Sequence, residues 1–293
     1  MNPVVRSMVT LLTLVLVAWV AWLALLLASK ERILYPGATG IEAPVPLRAP
    51  DDVTVLRHPV DDGHVHGWLL PPIGEPLAPP AMVVHFHGNG ERIELWAHGM
   101  RPWREAGYWL LLPEYRGFGG AAGRPSERGI VDDATHLLRA ALQESDVPED
   151  RLLFHGRSLG TGVAAQLGRH VPPRAYVLES GFSRIVDLTR RLLVPDPLVR
   201  DRYDTLGTLR GTDRPVLLLH GEHDEVIPFH HALRLRDGIP TATLLPLDCG
   251  HNDCPPDHDA YWAALFAFAE PLFGDVRGPQ APADAREDDS TGR

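Results

Sequence analysis

The stretch FHGRSLGTGVAAQLG contains one serine, Ser158, with a glycine two residues away on each side. An apolar run typical of a strand ends just before Ser158, and small residues typical of a helix follow it. Glycines at 156 and 160 remove side chains that would collide at a sharp strand-to-helix turn. A serine raised on such a turn can act as a nucleophile. A turn with only a structural role is the alternative, and the pattern favours the nucleophile.

A serine hydroxyl reacts well only when a base takes its proton and an acid orients that base. Two residues that follow Ser158 in the chain meet these needs, because each comes directly after an apolar run. Asp224 follows PVLLLH, and His251 follows TATLLPL. The carboxyl ends of parallel strands meet at one edge of a sheet. We therefore predict a catalytic triad of Ser158, Asp224 and His251.

Other groups near these positions remain as alternatives. Glu222 and Glu225 flank Asp224, and four further histidines are close in sequence: His223, His230, His231 and His258. Residues 230 and 231 fall inside a segment of helical character, whereas His251 follows a glycine in the loop after the last predicted strand. The 15 histidines also raise the question of a metal site. Neither HExxH nor another paired ligand spacing is present, so we predict no metal and no cofactor.

Hydrolysis at a carbonyl group also requires donors that stabilise the developing oxyanion. One predicted donor is the main-chain N–H of Leu159, which begins the helix after the nucleophile. The other should come from a loop after an earlier strand. The loop HFHGNG follows AMVV, and its glycines allow a substrate to approach closely. We predict the N–H of Asn89 as this donor, and we expect His87 only to pack and to form hydrogen bonds.

These residues need a framework of alternating strands and helices. Two candidate strands, 53–57 and 64–70, flank the turn signal DDG. Short apolar runs then recur at AMVVHF, YWLLLP, RLLFHG, AYVLES, PVLLLH and TATLLPL, with helical segments such as 126–144 and 158–170 between them. This alternation predicts an α/β fold with a mostly parallel sheet that helices cover on both faces.

The amino-terminal region is strongly apolar, with no charged residue between Ser7 and Ser29. A bilayer core takes about 20 helical residues to cross, so we predict a single transmembrane anchor over 8–29 rather than a cleaved signal peptide. A proline-rich spacer follows over 30–52, and one α/β domain occupies 53–273. The tail 274–293 lacks a core-forming pattern and is predicted to be disordered.

Charge and cysteine content narrow the class of protein further. The chain has 28 basic and 38 acidic residues, and the basic ones are scattered, which argues against nucleic acid as a partner. Charges flank both ends of the apolar segment, so the membrane orientation stays open, with the extracytoplasmic side favoured. The two cysteines, Cys249 and Cys254, are expected to be free thiols, with a local disulfide as the alternative. The oligomeric state is not predicted.

The order serine, aspartate, histidine and the HGNG loop together make the chain resemble the α/β-hydrolases over about 53–273. The segments EYRGFGGAAGRPSERGIVDDA, RSLGTGVA, LESGFS and HGEHDEVIPF are similar to the membrane-anchored serine hydrolases called serine aminopeptidase-like. That branch includes lipid hydrolases and protein depalmitoylases. Glu114 and Gly181 replace a commoner aspartate and proline of the branch, which affects loop shape and not the triad.

The resemblance implies an α/β-hydrolase fold in which Ser158 attacks, His251 acts first as base and then as acid, and Asp224 orients it. The segment 182–213 is too short for a large lid, so we expect a minimal helical cover that includes 192–194. The expected function is a membrane-anchored serine hydrolase that cleaves carboxylic ester or thioester bonds of small or lipid acyl substrates. An amide or peptide hydrolase and a non-catalytic binding protein with this fold remain as alternatives.

Overall fold

The computed structural model of this protein describes residues 2–39 and 49–274. Residues 40–48 of the predicted spacer and the predicted tail after Gly274 lie outside the described residues. The domain boundaries at both places stay predictions.

Within the described residues, eight strands form one sheet in the order β1-β2-β4-β3-β5-β6-β7-β8. The first two strands pair as an antiparallel hairpin, and β2 also lies antiparallel to β4. All the remaining neighbours are parallel. The strands are β1 (Thr54–Val60), β2 (Gly63–Leu70), β3 (Met82–Phe86), β4 (Trp109–Pro113), β5 (Leu152–Arg157), β6 (Ala175–Glu179), β7 (Val216–Gly221) and β8 (Ala242–Leu247).

The sequence patterns of these strands follow from where they lie in the sheet. The central strands β3, β5, β6 and β7 are buried along their whole length, which is why they are nearly continuous apolar runs. The hairpin strand β1 lies at the edge of the sheet and alternates between exposed and half-buried residues. The prediction of a mostly parallel sheet that begins with a hairpin is confirmed.

Helices cover both faces of the sheet, so the core consists of two apolar layers. One layer contains Ile130 and Val163 beside Phe154 of β5, and the other contains Trp103 and Leu265. The helices are α1 (Pro3–Ala28), α2 (Lys30–Leu34), α3 (Ile93–Gly99), α4 (Arg101–Glu105), α5 (Glu127–Ser145), α6 (Leu159–Leu167), α7 (Ile185–Thr189), α8 (Thr205–Leu209), α9 (His230–Gly238) and α10 (His258–Phe273).

The first helix is long and apolar enough to cross a membrane, judged by its length and composition alone. Its 26 residues span about 39 Å at the rise of an α-helix. The Asn2 side chain caps its amino terminus by accepting a hydrogen bond from the Val4 N–H at 3.0 Å. None of its residues is buried, so the protein itself does not supply the apolar surroundings that such a helix requires.

The chain after α1 packs against the α/β domain. Helix α2 leads to Tyr35, which is only 1% exposed and joins the core layer that contains Phe118. The Tyr35 hydroxyl lies 3.1 Å from the hydroxyl of Tyr203. A short 3₁₀ turn follows at Pro36–Thr39. The residues around Tyr35 therefore hold the chain that follows α1 against the domain.

The cover over the carboxyl edge of the sheet is small. Between β6 and β7 the chain forms helices α7 and α8 and two 3₁₀ turns, Arg190–Leu192 and Asp196–Leu198. This arrangement agrees with the expected minimal lid, and it leaves Leu193 at 67% exposure.

Candidate active site

Ser158 occupies the turn between β5 and α6 in a conformation that few non-glycine residues adopt. Its backbone angles are φ 51° and ψ −117°. The turn is held because the Ser158 N–H donates to the Glu179 carbonyl at 2.9 Å, while the Thr161 hydroxyl donates to the Ser158 carbonyl at 2.8 Å. Strain of this kind persists only where surrounding contacts fix it, and it is concentrated at functional sites.

The two glycines beside Ser158 are required by the closeness of neighbouring backbone. A Cβ atom at Gly160 would overlap the carbonyl oxygen of Phe86 at the end of β3, and one at Gly156 would overlap the Gly160 carbonyl. The turn can therefore form only when both positions lack a side chain. This is the steric reason that the sequence pattern predicted.

The structure brings Asp224 and His251 into direct contact at the ends of β7 and β8. The His251 Nδ1 lies 2.7 Å from Asp224 Oδ2. The second oxygen, Oδ1, accepts from the main-chain N–H groups of Val226 at 2.9 Å and Ile227 at 2.6 Å. An ionised carboxylate only accepts hydrogen bonds, so Nδ1 of His251 carries the proton and Nε2 is left to act as a base.

Asp224 is held in its ionised form. Burial by itself would raise the pKa of the Asp224 carboxyl, but the hydrogen bonds from His251 and Ile227 outweigh it and lower that pKa below its ordinary value. The buried His220 also lies close to this carboxyl, with its Nε2 3.4 Å from Asp224 Oδ2. The same Nε2 donates to the Ile227 carbonyl at 2.8 Å, which further fixes the loop that carries Asp224.

Ser158, Leu159 and Asn89 share one cavity of about 320 Å³. Leu159 is the first residue of α6, so its N–H lies at the amino end of that helix. Val226 and Ile227, which donate to Asp224, line the same cavity. The predicted nucleophile, both predicted oxyanion donors and the loop that carries Asp224 therefore lie around one cavity. Its other lining residues include the charged Lys30, Arg200 and Asp201 and a larger apolar set, among them Leu26, Ile33, Phe182, Ile185, Leu188 and Leu192.

Buried polar groups hold the loop that carries Asn89 in place. His87 Nε2 lies 2.8 Å from Glu114 Oε1, and Glu114 also accepts from the N–H groups of Tyr115 and Ile93. Burial alone would lower the pKa of His87, but the Glu114 carboxylate overcomes this and raises it. His87 packs and forms hydrogen bonds, as expected. Glu114, which replaces the commoner aspartate, holds the Asn89 loop through these bonds.

Arg157 is a residue of the site that the sequence reasoning missed. Its guanidinium contacts Glu91 beside the Asn89 loop, lies 3.3 Å from Glu179 at the end of β6, and donates to the His251 carbonyl at 2.8 Å. One side chain thus links the loops that carry Asn89 and His251, the predicted oxyanion donor and base. A charged residue at the end of an otherwise apolar strand, directly before the nucleophile, is the signal that could have pointed to it.

The alternative residues have other partners or face solvent. His223 is exposed and pairs with Asp248 at 2.9 Å. His231 lies in α9, where its Nδ1 contacts Ser183. His230, His258, Glu222 and Glu225 are exposed.

Cys249 and Cys254 are joined by a disulfide, so the expectation of two free thiols is wrong. The turn between them folds back, with the Gly250 N–H donating to Asp253 Oδ1 at 2.6 Å, and this brings the two Cα atoms to 5.4 Å. That separation is within disulfide range. His251 lies inside the loop that the bond closes. Among the described residues, no group of three or more histidine, cysteine or acidic side chains is placed to hold a metal ion.

Comparisons with known proteins identify the family of this chain. A family model described as serine aminopeptidase, S33, matches residues 78–200. An uncharacterized protein of Mycobacterium tuberculosis is 31% identical over 248 residues, covering 77% of this chain and 82% of that protein. The chain belongs to the α/β-hydrolase superfamily. Its fold class is thereby confirmed.

Two further similar proteins are a lipase and an esterase. The lysophosphatidylserine lipase ABHD12 of Mus musculus is 30% identical over 182 residues, which cover 53% of this chain and 44% of the lipase. The crystal structure of the Pyrococcus furiosus esterase Pf2001 aligns with a TM-score of 0.61 at 15% identity, over 78% of this chain and 96% of the esterase. The second match concerns the α/β-hydrolase fold alone.

Proposed function

We propose that this α/β-hydrolase is a membrane-anchored serine hydrolase that cleaves carboxylic ester or thioester bonds of lipid or other acyl substrates. The observation that carries the proposal is the cavity in which Ser158, Leu159 and Asn89 meet beneath apolar walls. An acyl group fits such surroundings, and the reacting carbonyl would lie at their polar end. The lipase among the similar proteins supports the same chemistry.

The proposed reaction is acyl transfer to water in two steps. The Ser158 Oγ attacks the carbonyl carbon while His251 Nε2 takes its proton, and the oxyanion accepts hydrogen bonds from the N–H groups of Leu159 and Asn89. His251 then protonates the leaving alcohol or thiol as the tetrahedral intermediate collapses to an acyl-serine. Water, deprotonated by His251, attacks the acyl-serine, and His251 returns this proton to Ser158 Oγ as the second intermediate collapses and the carboxylic acid is released. Asp224 holds the imidazole in place and stabilises its protonated form. No cofactor takes part.

The proposal is tested with the full chain in detergent micelles. A fluorophosphonate probe should label the wild type, and p-nitrophenyl esters should be hydrolysed. Ser158→Ala should abolish labelling and lower kcat by about 10⁴-fold or more. Ser145→Ala is the matched control, because Ser145 is also buried but only donates to Ala141 within α5. Near wild-type hydrolysis by Ser158→Ala would overturn the proposal.

Amide hydrolysis is the second candidate, and the serine aminopeptidase description of the family model favours it. Aminoacyl p-nitroanilides presented to the same preparations separate the two reactions. Faster serine-dependent cleavage of the anilides than of the esters would replace the ester proposal. An absence of probe labelling in the wild type would instead favour a binding protein with this fold.

The anchor and the side of the membrane are also part of the proposal. The length and composition of α1 support a single-pass anchor. The Cys249–Cys254 disulfide favours the extracytoplasmic side, because such bonds persist in oxidising compartments. Protease digestion of intact spheroplasts tests this placement, since only an extracytoplasmic domain is cleaved without lysis.

A further inference from the structure

The end of the apolar helix α1 borders the cavity that contains Ser158. Leu26 and Leu27 of α1 line this cavity, and Ile33 and Leu34 of α2 line it too. These residues lie more than a hundred positions from Ser158 in the chain. The segment 26–34 therefore forms part of the wall of the cavity that Ser158 also lines.

Three hydrogen bonds attach the chain on either side of this segment to the domain. The Trp22 Nε1 donates to the carbonyl of Leu192 at 3.1 Å, so α1 is tied to the cover. On the other side, the hydroxyls of Tyr35 and Tyr203 lie 3.1 Å apart. The Gly37 N–H donates to the Asn89 carbonyl at 3.0 Å, which connects the segment to the loop of the predicted oxyanion donor. The wall is thus held at both of its ends.

Several apolar side chains of the cavity are exposed. Ile33 is 49% exposed, Val226 45% and Leu198 40%, and the charged Lys30, Arg200 and Asp201 line the cavity as well. Apolar side chains gathered around an opening mark a surface that meets a lipid or another apolar partner. Leu26 lies two residues before the end of α1, about 3 Å along the helix axis. With α1 as a spanning helix, this wall of the cavity lies toward the membrane surface and not at the bilayer centre.

We propose that residues 26–34 form one wall of the acyl-binding site, and that the substrate is a long-chain acyl lipid that enters this site from the bilayer. The acyl chain lies between this wall and the cover residues Leu188 and Leu192, with its ester group at Ser158. This inference rests on the proposed hydrolase function and names its substrate class. The anchor is then a part of the substrate site as well as an attachment to the membrane.

The test compares two neighbouring substitutions in the full chain, reconstituted in phosphatidylcholine vesicles. Leu26→Trp fills the cavity, whereas Leu25→Trp places the same side chain on a neighbour that is 59% exposed. Hydrolysis of p-nitrophenyl acetate and p-nitrophenyl palmitate is measured for both. Leu26→Trp should lower the ratio of kcat/KM for the palmitate to kcat/KM for the acetate by about tenfold or more. Leu25→Trp should behave as the wild type.

The outcomes separate this inference from the proposed function. Equal chain-length profiles of Leu26→Trp and Leu25→Trp, with serine-dependent activity retained, would overturn the inference alone. A wild type without serine-dependent activity would overturn the proposed function.

A second measurement applies if Leu26→Trp does not fold. The wild type is labelled with a long-chain fluorophosphonate that carries a photoreactive diazirine at the chain end. Crosslinks from Ser158 to peptides within residues 22–37 are expected. Crosslinks that leave this segment untouched would overturn the inference.

Discussion

Arg157 donates a hydrogen bond from Nη2 to the main-chain carbonyl of His251 at 2.8 Å. The bond reaches from the residue before the predicted nucleophile to the predicted base, which are 94 positions apart in the chain. Since the same guanidinium contacts Glu91 and Glu179, it fixes the His251 loop relative to the nucleophile turn. Arg157 is therefore a positioning residue, and its side chain is not expected to touch substrate.

Replacing Arg157 by lysine should lower kcat and leave KM nearly unchanged. Lysine keeps the charge that Glu91 and Glu179 require, but it cannot reach all three partners with a rigid fork. Misplacement of the base should cost between about tenfold and a hundredfold in kcat, with slower fluorophosphonate labelling. Arg151→Lys is the matched control, because Arg151 binds the carbonyls of Pro80 and Phe273 elsewhere. Equal kinetics for the two variants would contradict the positioning role.

Gly160→Ala should destabilise the fold, because the new methyl group would overlap the Phe86 carbonyl where α6 crosses β3. Relief requires a shift of main chain, so we expect a loss of about 2 kcal/mol or more in the free energy of unfolding. Urea denaturation measures it. Gly211→Ala is the control, since a Cβ there would contact nothing within 4 Å, and it should change that free energy by less than about 0.5 kcal/mol. A Gly160→Ala protein as stable as the control would contradict the packing argument.

The stabilising contribution of ionised Asp224 should depend on pH only in the acidic range. Its pKa in the folded protein lies below the ordinary 3.8, so folding favours the ionised form. The contribution is complete above the unfolded pKa and is lost as the pH falls through the folded one. The difference in unfolding free energy between wild type and Asp224→Asn should therefore stay constant down to a pH of about 4 and shrink below it.

Asp213→Asn is the control for this titration, because the Asp213 side chain is 89% exposed. Its difference from the wild type should be small throughout. If the Asp224→Asn difference instead grew as the pH fell, the sign of the coupling would be wrong.

Opening the disulfide should loosen the loop that carries His251. The bond closes a short loop from Cys249 to Cys254, for which the chain-entropy estimate is about 2 kcal/mol of stability. The double variant Cys249→Ser, Cys254→Ser should lose about this amount in guanidinium denaturation, together with part of its esterase activity. A thiol reductant should destabilise the wild type and leave the double variant unaffected. Two free thiols titrated in the unreduced, unfolded wild type would contradict the bond.

The sequence was most informative where function depends on local geometry. The glycines around Ser158 predicted a strand-to-helix turn. In the structure, a Cβ atom at either glycine would overlap neighbouring backbone. Continuous apolar runs predicted the central strands because a parallel strand that helices cover on both faces must be apolar throughout. The assignment of Asp224 and His251 stays a prediction until activity is measured, although the two side chains are in hydrogen-bond contact.

What the sequence could not reveal depends on contacts between distant segments. Arg157 gains its partners from a loop after β3, the end of β6 and the loop after β8, and no local pattern records that they converge. The disulfide could be assigned only from the folded turn, because sequence spacing alone does not set the distance between two Cα atoms.

The clearest division concerns the amino-terminal helix. Composition and length alone predicted an apolar segment able to span a bilayer, because that property depends on the residues of the segment itself. Only the tertiary structure decided that Leu26 and Ile33 border the cavity of Ser158. Burial against a distant element is a property of the whole fold, and the same apolar side chains satisfy a lipid bilayer and a protein cavity equally well.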